Sequence, residues 1–178
     1  MEEQADVLGI EILHDRGSLS GYEKASEWGQ EILPGIKQRY HGKLIWNGGF
    51  SPLLTAELHE RGPDELYINF TGYNYIGFTA YPASLPSKGP EGYREWVSQT
   101  IDILSRWAER DGCDGVMATE MVLAFGLPPG SKGGYKDFVA NDMVFEAGEG
   151  RLSGYFPGFG SESWDREGFK HWYKERLP

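Results

Sequence analysis

Apolar positions along this chain fall into two alternating periods, short unbroken runs and stretches with helical spacing. Residues 5–13 read as a first short apolar strand with Glu11 embedded near its end, and a polar loop follows to Gly21. Ala25, Trp28, Ile32, Leu33 and Ile36 then share one helical face, but Pro34 removes a backbone hydrogen bond and predicts a kink or two shorter helices. Residues 43–47 form a second apolar run, stopped by Gly48-Gly49, where the backbone is free to turn. A short helical piece around residues 52–61 leads to a third strand, residues 75–81, closed by Pro82.

The clearest helix follows. Trp96, Val97, Thr100, Ile101, Leu104, Trp107 and Ala108 obey the i, i+3, i+4 rule with charged residues opposite, and Gly112 stands where a helix C-cap is expected. Residues 116–120, Val-Met-Ala-Thr-Glu, read as a buried strand presenting a carboxylate at its C-terminal end. The Gly/Pro-rich residues 126–136 exceed an ordinary connection and predict a binding loop or lid. Residues 144–146 read as a short extended edge, Gly148-Glu149-Gly150 as a turn and residues 152–156 as the last strand. A final helix over residues 164–177 would turn Phe169, Trp172 and Tyr173 inward. Strand and helix alternate without repeat or low-complexity linker, which predicts one α/β domain over residues 1–178, a parallel sheet wrapped by helices.

Composition narrows the partners. With 27 acidic against 17 basic residues the net charge is -10, which repels nucleic-acid phosphates and anionic lipid surfaces. No apolar stretch approaches the roughly 20 residues of a membrane helix, and the first residues lack the basic flank and apolar core of an export signal. The single Cys113 allows no intramolecular disulfide, no Cys/His spacing suits a metal, and no phosphate loop or dinucleotide fingerprint calls for a nucleotide cofactor. The expectation is a soluble protein that needs no cofactor. Six Trp, ten Tyr and nine Phe, many beside Gly or Pro, supply ring faces that pack in cores or stack on sugars.

The chemistry sits at the predicted strand ends. At the C-terminal edge of a parallel α/β barrel, catalytic groups converge above a packed interior, so Glu120 is the first candidate and Glu11 the second. His14 and Asp15 are weaker candidates for the same proton transfer, while His41 and His171 lie in turn or helical surroundings and read as solvated. Asn47 beside Trp46 offers a hydrogen bond and a stacking face, and Tyr81 offers a hydroxyl to the carboxylate. Phe159 and Trp164 lie in the loop after the last strand.

Taken together, Ile10-Glu11, Ile45-Trp46-Asn47, Asn74-Tyr75-Ile76-Gly77-Phe78-Thr79-Ala80-Tyr81-Pro82, Ala118-Thr119-Glu120 and Gly154-Tyr155-Phe156 resemble strands four to eight of a retaining glycoside hydrolase barrel. The resemblance is to the clan that holds endo-β-mannanases and cellulase-like enzymes. It implies a partial (β/α)8 barrel, an oligosaccharide or polysaccharide substrate, Glu120 as nucleophile, Glu11 as acid/base and a sugar platform at Phe159 and Trp164. The chain departs from the pattern where Ile10 precedes Glu11, a place the clan usually gives to Asn, and it has no counterpart of strands one to three. It therefore looks like the C-terminal half of such an enzyme, with open sheet edges that predict self-association. The competing expectation is a non-catalytic carbohydrate-binding module in which the aromatics and Asn47 hold a sugar and the acids are incidental. An open doubly wound domain ranks third.

Overall fold

The structure, a computed structural model, describes residues 7–11, 19–48, 50, 52–80, 89–121, 144 and 146–157. Five strands, β1 (Val7–Glu11), β2 (Lys43–Gly48), β3 (Tyr75–Ala80), β4 (Gly115–Met121) and β5 (Gly154–Pro157), form one sheet in the order β1-β2-β3-β4-β5. Every neighbouring pair is parallel. Three helices connect them: α1 (Leu19–Lys37), α2 (Pro52–Arg61), followed by a 3-10 turn at Pro63–Glu65, and α3 (Gly89–Asp111). The predicted α/β class and parallel sheet are both present. Strand order never reverses among the described strands, whereas a doubly wound sheet requires a reversal.

Sequential parallel strands joined by right-handed crossovers carry their helices on one face, and the burial pattern agrees. Leu44 and Trp46 of β2, Ile76, Phe78 and Ala80 of β3, and Val116 and Ala118 of β4 join one apolar core with residues of α1, α2 and α3. Rings knit the layers together: Tyr22 of α1 stacks on Phe50 at 5.7 Å, Phe50 meets Trp107 of α3 at 5.9 Å, and Phe70 meets Trp46 edge-on at 4.9 Å. Ile45 and Met117 are also buried but stand outside that core, because strand alternation turns them to the opposite face.

The helices match their sequence signals unevenly. In α3 all seven of the named apolar-face residues are buried. It ends in a Schellman motif: Gly112 takes φ 70°, its N–H donates to the Glu109 carbonyl, and the Cys113 N–H donates to Ala108 at 2.8 Å. Helix α1 departs from expectation twice. It runs through Pro34 as one helix, and Trp28 is 46% exposed rather than part of the buried face. Pro34 is exposed, so its ring meets solvent, and its carbonyl still accepts from Gln38 at 3.2 Å. Its buried residues are Gly21, Tyr22, Ser26 and Gly29 together with the expected Ala25 and Leu33.

Polar bonds fix α1 against the segment before β3. The Tyr73 hydroxyl donates to the Gly29 carbonyl at 2.7 Å, Gln30 Nε2 to the Asn69 carbonyl at 2.8 Å, and the Asn69 N–H to Ser26 Oγ at 2.7 Å. Between α2 and α3, Trp96 Nε1 donates to Thr55 Oγ1 at 3.2 Å, and Thr55 and Thr100 share a hydrogen bond. One further expectation fails: Val144 and Glu146, expected to be extended, are helical, as are residues 147–148, and the turn expected at 148–150 falls at 149–151. The last strand begins at Gly154, two residues later than its apolar run. The loop at 126–136 and the helix at 164–177 lie outside the described residues.

Candidate active site at the C-terminal edge of the sheet

Strand register brings the candidate residues to one edge. Glu11 pairs with Asn47, Asn47 with Gly77, and Gly77 with Met117, so one row crosses four strands. Two positions further along β3, Thr79 pairs with Glu120. The ladder between β3 and β4 shifts between Phe78 and Thr79, so that Thr119 is an extra residue on β4. Such an irregularity re-aims the residues beyond it. Glu11 and Glu120 both lie at or beside the C-terminal ends of their strands, three strands apart. Their backbones are described; their side chains lie outside the described ones.

The face on which Asn47 and Thr79 stand follows from Gly77. A Cβ on Gly77 would lie 3.0 Å from Ile45 Cγ2 and 2.6 Å from Thr119 Cγ2. Ile45, Gly77 and Thr119 therefore share the face away from the helical core, and alternation places Asn47 and Thr79 there too. Glycine at 77 lets two β-branched side chains of the flanking strands close over β3. Thr119 Oγ1 is itself committed, donating to the Phe78 carbonyl at 3.1 Å.

Asn47 and Thr79 are not committed. They are 8% and 7% exposed, and neither Asn47 Oδ1 nor Thr79 Oγ1 has a hydrogen-bond partner among the described residues. A buried polar atom left unpaired costs about 1–3 kcal/mol, and two of them lie on adjacent strands of one sheet face. Thr79 was not among the sequence-derived candidates. The signal that could have found it is its place in the Gly77-to-Tyr81 strand end, one alternation beyond Gly77 and on the same face.

Trp46 corrects the sequence reading. It is fully buried on the helical side of the sheet, its ring against Phe70 and Phe50 and its Nε1 without a hydrogen-bond partner among the described residues. In this position it offers no open face to a sugar, because one step of alternation separates it from Asn47. Tyr81, Phe159, Trp164, His14, Asp15 and His171 lie outside the described residues, whereas His41 is exposed in the turn before β2, as expected.

The opposite rim of the sheet is held by structural polar groups. Asn74 Oδ1 accepts from the Leu44 N–H at 3.0 Å, and Asn74 Nδ2 donates to Asp114, which also pairs with Lys43 at 2.6 Å. The hydrogen bond to Asp114 raises the Lys43 pKa, and the one from Lys43 lowers that of Asp114. Both side chains are about half exposed, so this pair adds little to stability. Burial, followed by the charges of Asp111 and Asp114, pushes the Cys113 thiol up to about 11, which disfavours the thiolate form.

Among the described residues no group of His, Cys, Asp and Glu is placed to hold a metal ion, and no helix is long and apolar enough to cross a membrane. The sequence matches no protein-family model and no curated protein.

Proposed function

We propose that this chain is part of a (β/α)8-type retaining hydrolase of β-linked glycans, with Glu120 as nucleophile and Glu11 as acid/base. The observation that carries the reading is the register: Glu11, Asn47, Thr79 and Glu120 come to one edge of a sequentially ordered parallel sheet. Retention requires two carboxyl groups about 5 Å apart. Three strand spacings in a flat sheet amount to about 14 Å, so the mechanism needs the sheet to curve, as barrel closure makes it do.

In this reading the ionised Glu120 carboxylate attacks the anomeric carbon while a protonated Glu11 gives its proton to the departing glycosidic oxygen. The bond from Glu120 to the sugar forms as the glycosidic bond breaks. Glu11, now a carboxylate, then takes a proton from the water that releases the sugar and restores Glu120. Unequal surroundings must hold the two carboxyl pKa values apart. The same reading expects the unpaired edges of an incomplete barrel to associate with one another in solution. Burial of Trp46 weighs against the alternative of a binding module built on aromatic stacking, since that ring is unavailable.

The test is mechanism-based trapping. Incubated with 2,4-dinitrophenyl 2-deoxy-2-fluoro-β-mannoside or the corresponding glucoside, the chain should gain one fluoroglycosyl unit on the peptide that carries Glu120. Glu120→Gln should gain none. A label on another carboxylate, or none with either reagent alongside no cleavage of mannotetraose or cellotetraose, overturns the proposal.

A further inference from the structure

Asn47 Oδ1 and Thr79 Oγ1 are buried on neighbouring strands, on the sheet face opposite the core that the described helices build, and neither has a hydrogen-bond partner among the described residues. We propose that Asn47 and Thr79 together bind a pair of adjacent hydroxyl groups of a neutral polyol or sugar, which makes Thr79 a specificity residue. This deepens the reading given under Proposed function and rests on it for the identity of the sugar.

Asn47 Oδ1 only accepts, so the ligand must donate to it; Thr79 Oγ1 both donates and accepts. A hydroxyl pair satisfies both, one group donating to Asn47 and the other exchanging a hydrogen bond with Thr79. A fully deprotonated anion has no hydrogen to donate to Asn47 Oδ1, and the chain's net charge of -10 disfavours any anion. The spacing also fits. Thr79 lies two residues beyond the Asn47 partner Gly77 on the adjacent strand, which separates the two Cα atoms by about 8 Å from strand rise and spacing. Side chains that stand off the same sheet face keep their polar atoms at roughly the separation of their Cα atoms, and two adjacent oxygens with a hydrogen bond at each end span about that distance.

A structural hydroxyl and a ligand hydroxyl respond differently to removal. Replacing a paired buried hydroxyl by a methyl group strands its partner, whereas replacing an unpaired one removes an uncompensated desolvation. Thr79→Val keeps the side-chain shape, and Thr79→Ser keeps the hydroxyl. In the full chain, Thr79→Val should leave the melting temperature unchanged or raised, and should weaken mannotetraose or cellotetraose binding by calorimetry at least tenfold. Thr79→Ser should bind within about threefold of the parent, and Asn47→Ala should lose binding as Thr79→Val does.

A fall of several degrees in Thr79→Val means that the hydroxyl has a structural partner and overturns the proposal. Unchanged affinity in Thr79→Val overturns it while leaving the hydrolase reading intact. Thr79-dependent binding without cleavage or trapping at Glu120 supports the hydroxyl site and removes the hydrolase reading. Binding of neither tetrasaccharide by the parent overturns this inference, and trapping at Glu120 then decides the hydrolase reading separately.

Discussion

At the scale of single residues, the site depends on side chains that are small or unpaired where larger or satisfied ones would be expected. Gly77 is the sharpest case, because an added Cβ would sit 2.6 Å from Thr119 and 3.0 Å from Ile45. Both neighbours are β-branched and stiff at χ1, so neither yields cheaply. Gly77→Ala should destabilise the protein by about 1–3 kcal/mol in urea unfolding; a loss under a few tenths would show that the flanking strands can part. The apolar run at 75–81 made β3 legible, but only the register shows what crosses over Gly77. Asn47 was legible as a polar residue at a strand end. The likeness of Trp46 to it, by adjacency, misled, because neighbours in a strand face opposite layers.

At the scale of elements, legibility followed how many independent signals agreed. Helix α3 carries an unbroken apolar stripe and a C-terminal glycine, and both do what the pattern implies. Gly112→Ala forces a Cβ into the left-handed region at φ 70°, and should lower stability by about 1 kcal/mol in urea unfolding. An unchanged midpoint would mean that the cap re-forms in another conformation. Helix α1 was less legible because proline and tryptophan gave signals that its surroundings override. Pro34 lies where its ring meets solvent, and Trp28 lies off the face that Tyr22, Ser26, Gly29 and Leu33 present to the core. Glycine and serine at two of those buried positions serve hydrogen bonds from the segment before β3, through the Gly29 carbonyl and Ser26 Oγ. A hydrophobicity pattern does not register such partners. The helical residues at 144 and 146–148 were misread for the converse reason: three residues are too few to distinguish a strand from a helical turn.

At the scale of the whole molecule, burial sets how stability responds to pH. Burial pushes the Tyr73 hydroxyl from 10.0 up to about 12 and, with nearby carboxylates, the Cys113 thiol from 9.0 up to about 11. The folded chain holds these protons where the unfolded chain has released them, so stability must fall as pH rises. The urea midpoint should be level from pH 7 to 8.5, decline from about 9 as Cys113 ionises in the unfolded state, and decline further above about 10 through Tyr73 and through Tyr93, whose hydroxyl pKa burial also raises. Tyr73→Phe should flatten the upper part of that decline; an identical slope would assign it to other groups. The sequence by itself determined the alternation of strands and helices, the parallel sheet, the buried face of α3 and the presence of carboxylates near the ends of two strands, because these depend on local period and on residue type. Only the tertiary structure decided which residues share a row, since register and a one-residue irregularity in β4 set who stands beside whom. Pairings between residues 30 to 41 positions apart brought Asn47, Thr79 and Glu120 to one edge, and packing against Phe70 and Phe50 removed Trp46 from the site.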